Sequence, residues 1–125
     1  MINKILSLLL CVFPATAYAI DVICEVEYGG SVTSLKPEGS LDPYKFTKVD
    51  LPDDFRFSTQ YLLGSGKLKT YVYHNSKDRY VLIHAAEYSV GENACTKHEQ
   101  GFGLNKVYSA KLELELSFQC RLVCR

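Results

Sequence analysis

The chain has no tryptophan and one methionine among 125 residues, and its bases and acids cancel at fourteen each. That balance excludes the one-signed field that draws proteins onto nucleic acid or anionic membranes, so neither is an expected partner. Beyond Phe13 there is no apolar run near the roughly 20 residues a helix needs to cross a bilayer, so no transmembrane span is expected. The sequence also lacks C-x-x-C, H-E-x-x-H and G-x-S-x-G patterns, a phosphate-cradling glycine loop and a dinucleotide fingerprint. Gly64-Ser65-Gly66 is a turn rather than a nucleophile elbow, and Cys95-Thr96-Lys97-His98 is too sparse for a metal site. No metal, cofactor or catalytic residue is therefore expected.

The first nineteen residues read as an export signal. Met1 to Lys4 carry one positive charge, Ile5 to Phe13 are almost wholly apolar, and Ala17-Tyr18-Ala19 places small residues before a cut near Ala19–Ile20. Cys11 could suggest an acylated lipoprotein, but Leu10 stands where a small residue is required. The expected organisation is a signal peptide over 1–19 and a single disulfide-bonded domain over 20–125, periplasmic or secreted. The shortness of the signal favours a bacterial periplasm.

Cleavage leaves Cys24, Cys95, Cys120 and Cys124, an even set that predicts two disulfides in an exported chain of this size. Leu112, Leu114, Leu116, Phe118, Cys120, Leu122 and Cys124 fill every even position of the last stretch, a strict β period. Residues four apart in a strand lie about 13 Å from each other, whereas a disulfide needs Cα atoms within about 7 Å. Cys120 and Cys124 are therefore not partners; Cys24 and Cys95 each pair with one of them. Each bridge would contribute on the order of 3–4 kcal/mol by restricting the unfolded chain.

The remaining pattern is also β. Val22, Cys24, Val26 and Tyr28 alternate with Glu25 and Glu27 before Gly29-Gly30, with Ile23 the exception. Residues 31–43 read as a loop with a short strand near Val32, and Tyr44–Val49 as a modest strand. Phe55–Leu63 suits a strand, although Asp53 or Asp54 could cap a short helix ending at Gly64. Lys67–His74 and Arg79–Tyr88 flank the turn formers Asn75-Ser76-Lys77-Asp78 and predict a hairpin. After a break at Gly101-Phe102-Gly103, a last strand starting near Lys106 would run nearly twenty residues. That is about 65 Å, so it must bend or bulge to fit a domain with a radius of gyration of about 13 Å. The predicted class is all-β, with at most one short helix: an antiparallel β-sandwich or partly closed barrel with two disulfides.

The feature most suggestive of function is aromatic, for eight of the nine tyrosines follow the signal. If His74 faces Arg79 in the hairpin, Tyr73 opposes Tyr80 and Tyr71 opposes Leu82. Tyr71, Tyr73, Tyr80 and His84 then form an outward strip, with Leu68, Val72, Val81, Ile83 and Ala85 facing the core. Tyrosines supply contact area at low entropic cost while tolerating water, which suits recognition. The expected function is a non-catalytic binding or inhibitor-like module contacting a protein or glycan of the envelope or host. In size and export the chain is similar to the small exported β domains of bacterial lysozyme inhibitors, a likeness of class that rests on no shared motif. Two other classes fit: a small hydrolase using His84 or His98 with an acid, and a structural subunit assembling through an exposed edge at 44–50 or 106–125.

Overall fold

The computed structural model describes residues 11–12, 20–91, 99–111 and 113–124. Among the described residues nine strands form two sheets packed face to face and not closed into a barrel. In the first sheet the order is β2 (Ser31–Leu35), β1 (Ile20–Tyr28), β9 (Glu115–Cys124) and β8 (Glu99–Tyr108). In the second, β5 (Phe55–Leu62), β6 (Lys67–Ser76) and β7 (Arg79–Ser89) lie side by side. The other flank of β5 takes β4 (Thr47–Asp50) antiparallel and the two-residue β3 (Gly39–Ser40) parallel. There is no α-helix among the described residues; the helical alternative at Asp53 and Asp54 reduces to a 3₁₀ turn over Pro52–Asp54.

The alternating apolar residues dictate these sheets. Val22, Cys24 and Val26 of β1 and Leu116, Phe118, Cys120 and Leu122 of β9 point inward and are almost wholly buried. Phe55, Phe57, Leu68 and Val72 meet them from the second sheet, with Phe57 and Phe118 rings 5.0 Å apart. Burial of an aromatic or aliphatic side chain contributes about 1.5–3 kcal/mol, so this single seam carries most of the cohesion between the sheets.

The first and last strands are neighbours, with Cys24 directly opposite Cys120. Their Cα atoms are 4.0 Å apart and their sulfurs are bonded across 96 positions of sequence. This is the complete bridge among the described residues, where two were expected. Cys124 is also disulfide-bonded, and Cys95, assigned to one of the last two cysteines, lies outside the described residues. Cys120 is thus the partner of Cys24, which the spacing alone left undecided.

Three other expectations are corrected. The long last strand is two strands: the chain reverses over Ser109–Leu114, where the Ser109 amide donates to the Leu114 carbonyl at 2.9 Å. Folding β8 back onto β9 pairs the backbone of both and solves the length problem that a single extended run posed. Gly101-Phe102-Gly103 is not a break but an irregularity inside β8, with the register shifting between Gly101 and Leu104 and Gly103 at φ +93°. Residues 31–43 contain the short strand expected near Val32, as β2, together with the two-residue β3.

The third correction matters most for the outer surface. The β6–β7 hairpin closes on two residues, Lys77 and Asp78, both left-handed at φ +51° and +66°. That is the twist-matched geometry of a tight hairpin, and it puts Ser76, not His74, opposite Arg79. A bulge then shifts the register, because Tyr73 faces Leu82 while Val72 faces His84, leaving Ile83 as the extra residue. One inserted residue inverts the alternation beyond it. Ala85 consequently faces outward opposite Tyr71 rather than lying in the core.

Two outcomes follow. The C24A/C120A double variant should lose about 3–5 kcal/mol of unfolding free energy, read from urea titrations of the oxidised protein; a loss below 1 kcal/mol would mean the bridge constrains little. Asp78→Gly should raise stability by about 0.5–1 kcal/mol, because glycine adopts the left-handed conformation without the Cβ penalty. Thermal unfolding checks the sign.

Candidate functional site

In the second sheet, the face opposite Phe55 and Phe57 is set by the same alternation. Arg56, Ser58 and Gln60 of β5, Tyr71 and Tyr73 of β6, and Leu82 and Ala85 of β7 share it. From β4, Lys48 pairs opposite Ser58 and Asp50 opposite Arg56. A row therefore runs Asp50, Arg56, Tyr73, Leu82 across four strands.

The strand pattern of β4 begins only at Thr47; the residues before it form a segment that crosses this face. Gln60, 4% exposed, anchors it by donating from Nε2 to the Pro43 carbonyl at 2.7 Å. Tyr71 donates its hydroxyl to Gln60 Oε1 at 3.3 Å, and its ring lies 6.0 Å from Phe46. Burial raises the Tyr71 hydroxyl above the ordinary tyrosine range, with Glu87 adding to the effect. Tyr44, 85% exposed, stands at the outer end of the segment, where the Asp42 carboxylate accepts from its amide at 2.9 Å.

Between this segment and the hairpin lies a cleft of about 470 Å³ lined by Tyr44, Phe46, Lys48, Arg56, Ser58, Tyr73 and Tyr80. Ser58, the shortest of the outward β5 residues, lies between Arg56 and Gln60 and lines this cleft. The Arg56 guanidinium sits 3.8 Å from the centre of the Tyr80 ring. On its other side it holds Asp50 in two parallel contacts, Nε to Oδ1 at 2.5 Å and Nη2 to Oδ2 at 3.1 Å. This bidentate geometry is specific to arginine. Hydrogen bonding to Arg56 lowers the Asp50 carboxyl below its ordinary value, against a smaller opposing effect of desolvation. Lys48 forms no ion pair among the described residues.

Of the predicted strip, Tyr73 and Tyr80 line the cleft and Tyr71 stands beside it, under Phe46. His84 is not with them. It projects from the opposite face, its ring 5.6 Å from Phe118 and its Nδ1 buried without a hydrogen-bond partner. The bulge at Ile83 is the cause. Tyr44, Phe46, Lys48, Arg56 and Ser58 were not picked out from the sequence. Arg56 and Ser58 could have been, as the polar positions alternating with Phe55 and Phe57. Tyr44 and Phe46 could not, because a path over a sheet leaves no periodic trace.

A second cleft, of about 570 Å³, opens at one end of the sandwich, with Asp53, Asp54, His74, Lys77, Asp78 and Lys111 in its lining. Its polar groups hold the 3₁₀ turn. The Tyr28 hydroxyl donates to the Asp53 carboxylate, and His74 Nε2 lies 3.0 Å from the Asp53 carbonyl. His74 also packs its ring edge-on against Phe55. His98, named as a hydrolase candidate, lies outside the described residues. Among the described residues neither His74 nor His84 hydrogen-bonds a carboxylate or a hydroxyl.

The Asp50–Arg56 pair has a checkable pH signature. A carboxyl whose folded pKa is depressed adds stability above its unfolded pKa and loses it as pH falls through the folded value. The Asp50 carboxyl should therefore titrate by NMR below the ordinary aspartate value of about 3.9, and Arg56→Gln should return it upward; an unmoved midpoint would show that Arg56 is not the cause. No family model, curated protein or solved structure matches this chain.

Proposed function

We propose that this protein is an exported, non-catalytic binding module, inhibitor-like in character, which engages a protein or glycan through the outer face of its second sheet. Export is supported by the N-terminal pattern of charge, apolar run and A-x-A, and by a disulfide, a bond that persists in oxidising compartments. The observation that carries the binding reading is the tyrosine cleft itself. Tyr73 and Tyr80 hang from a two-residue hairpin on a crosslinked sandwich, and Tyr80 is held by a guanidinium that is itself clamped by Asp50.

Such preorganisation favours recognition. Side chains already fixed in place lose little rotational freedom when a partner arrives, a cost otherwise near 0.5–1.5 kcal/mol for each flexible group. Tyr44 and Phe46 add exposed aromatic surface on the opposite wall, at 85% and 47% exposure. In this reading Tyr73 and Tyr80 are contact residues of a two-walled cleft, Tyr71 supports it, and His84, on the opposite face, takes no part.

The test is binding of the oxidised exported protein to an array of immobilised oligosaccharides and, in parallel, to envelope and host hydrolases. The Tyr73→Ser/Tyr80→Ser variant, with its melting temperature retained, should bind any positive probe at least about tenfold more weakly. Undiminished binding would remove this face from the interaction.

A further inference from the structure

The chemistry of the cleft walls narrows the choice left open above, and the inference rests on that reading. Four of the seven lining residues carry hydroxyl groups, Tyr44, Ser58, Tyr73 and Tyr80; two are cations, and only Phe46 is purely apolar. The buried centre of a protein–protein contact shares such tyrosines and arginine but is depleted in lysine and serine, both of which line this cleft. Its usual footprint is also broad, about 800 Å² on each partner. Here a single concavity of about 470 Å³ falls within the range of small-ligand sites, roughly 300–1,000 Å³.

Aromatic faces beside many hydroxyl groups match a sugar ring. The electron-rich face of a tyrosine ring attracts the weakly positive C–H side of a pyranose, while the hydroxyls around the ring exchange hydrogen bonds with a polyol. Arg56 contributes further donors: Asp50 occupies two of its five N–H groups, leaving three. Its charge, however, is already balanced by Asp50. Lys48, on the strand beside Ser58, is exposed and makes no ion pair among the described residues, although its charge also acts on Asp50; Arg56, Lys48 and Asp50 together leave one positive charge at the cleft. No carboxylate lines the cleft.

We infer that the cleft takes an anionic saccharide, a sugar ring carrying a carboxylate. Its ring lies against the Tyr73 and Tyr80 side with Tyr44 and Phe46 facing it, and its carboxylate meets the Lys48 ammonium. Lys48 is then the residue that separates acidic from neutral sugars, and the aromatic walls are what both kinds would share.

The test is isothermal titration of the oxidised full protein with trigalacturonate and with its trimethyl ester, in which neutral methyl esters replace the carboxylates, and with sialyllactose against lactose, which lacks the acidic sugar. The acids should bind about fivefold tighter than their neutral counterparts, the worth of one exposed charge pair. Lys48→Gln should abolish that difference while leaving the ester's affinity unchanged; Tyr44→Ala should weaken acid and ester alike. Lys48 and Tyr44 are both exposed, so neither change threatens the fold. Equal binding of acid and ester, insensitive to Lys48→Gln but lost in Tyr44→Ala, would overturn the anionic assignment and leave the binding face intact. Absence of binding by all four sugars at millimolar concentration would overturn the saccharide assignment. A hydrolase probe lost on Tyr73→Ser/Tyr80→Ser would then identify the occupant as protein. Sugar binding that survives both Tyr44→Ala and Tyr73→Ser/Tyr80→Ser would sink this inference and the cleft together.

Discussion

The pairing of β1 with β9 is the constraint on which the rest depends. It joins the first described strand to the last across eight opposed positions, and at one of them, Cys24 opposite Cys120, the contact is covalent. A non-local pairing of this kind has a high entropic cost, because nearly the whole chain lies in the loop it closes. The crosslink removes much of that cost from the unfolded state, and once the two strands are together their inward residues form half of the core at once. The second sheet then has a defined surface on which to lay Phe55, Phe57, Leu68 and Val72.

Two opposite demands meet in β6 and β7. Their inner residues must fill the seam against β9, while their outer residues are free to serve recognition. The bulge at Ile83 reconciles the tight turn at Lys77–Asp78 with burial of the strand beyond it. It sends His84 against Phe118, while Tyr71 and Tyr73 keep the outward positions that the alternation of β6 gives them. The cleft is in this sense a consequence of how the hairpin is folded. A four-residue turn would have set Tyr73 against Tyr80, where the two-residue turn sets it against Leu82.

The site is also layered. Below is the sheet, whose outer row contains a small residue, Ser58, between two long ones. Above is the segment before β4, held by the two carbonyls that Gln60 Nε2 reaches. Gln60 is nearly inaccessible although it sits on an outward position. The desolvation of that amide is offset only because its donors and its acceptor oxygen are all engaged. Buried polar anchoring of this type gives a fixed wall to what would otherwise be an exposed loop.

The strands with strict alternation are legible in the sequence: β1, β6 and β9, the second part of the long last run, lie where their period placed them, β5 takes the strand side of an open choice, and Cys120 does not pair with Cys124. These follow from the period of two, which is a local property of the extended backbone. The tyrosines as an outward feature were legible for the same reason, at Tyr71, Tyr73 and Tyr80. Register was not, since it depends on turn geometry and on a single inserted residue, and an error of one position exchanges the faces. The split of the last run into β8 and β9 was equally hidden: a chain of good strand formers carries no mark of where it doubles back until the partner strand competes for its hydrogen bonds. The partner of Cys24 and the meeting of Tyr44 and Phe46 with Arg56 and Tyr80 were decided by tertiary structure alone. They join residues far apart in the chain, and only the packing of two sheets brings such residues within reach.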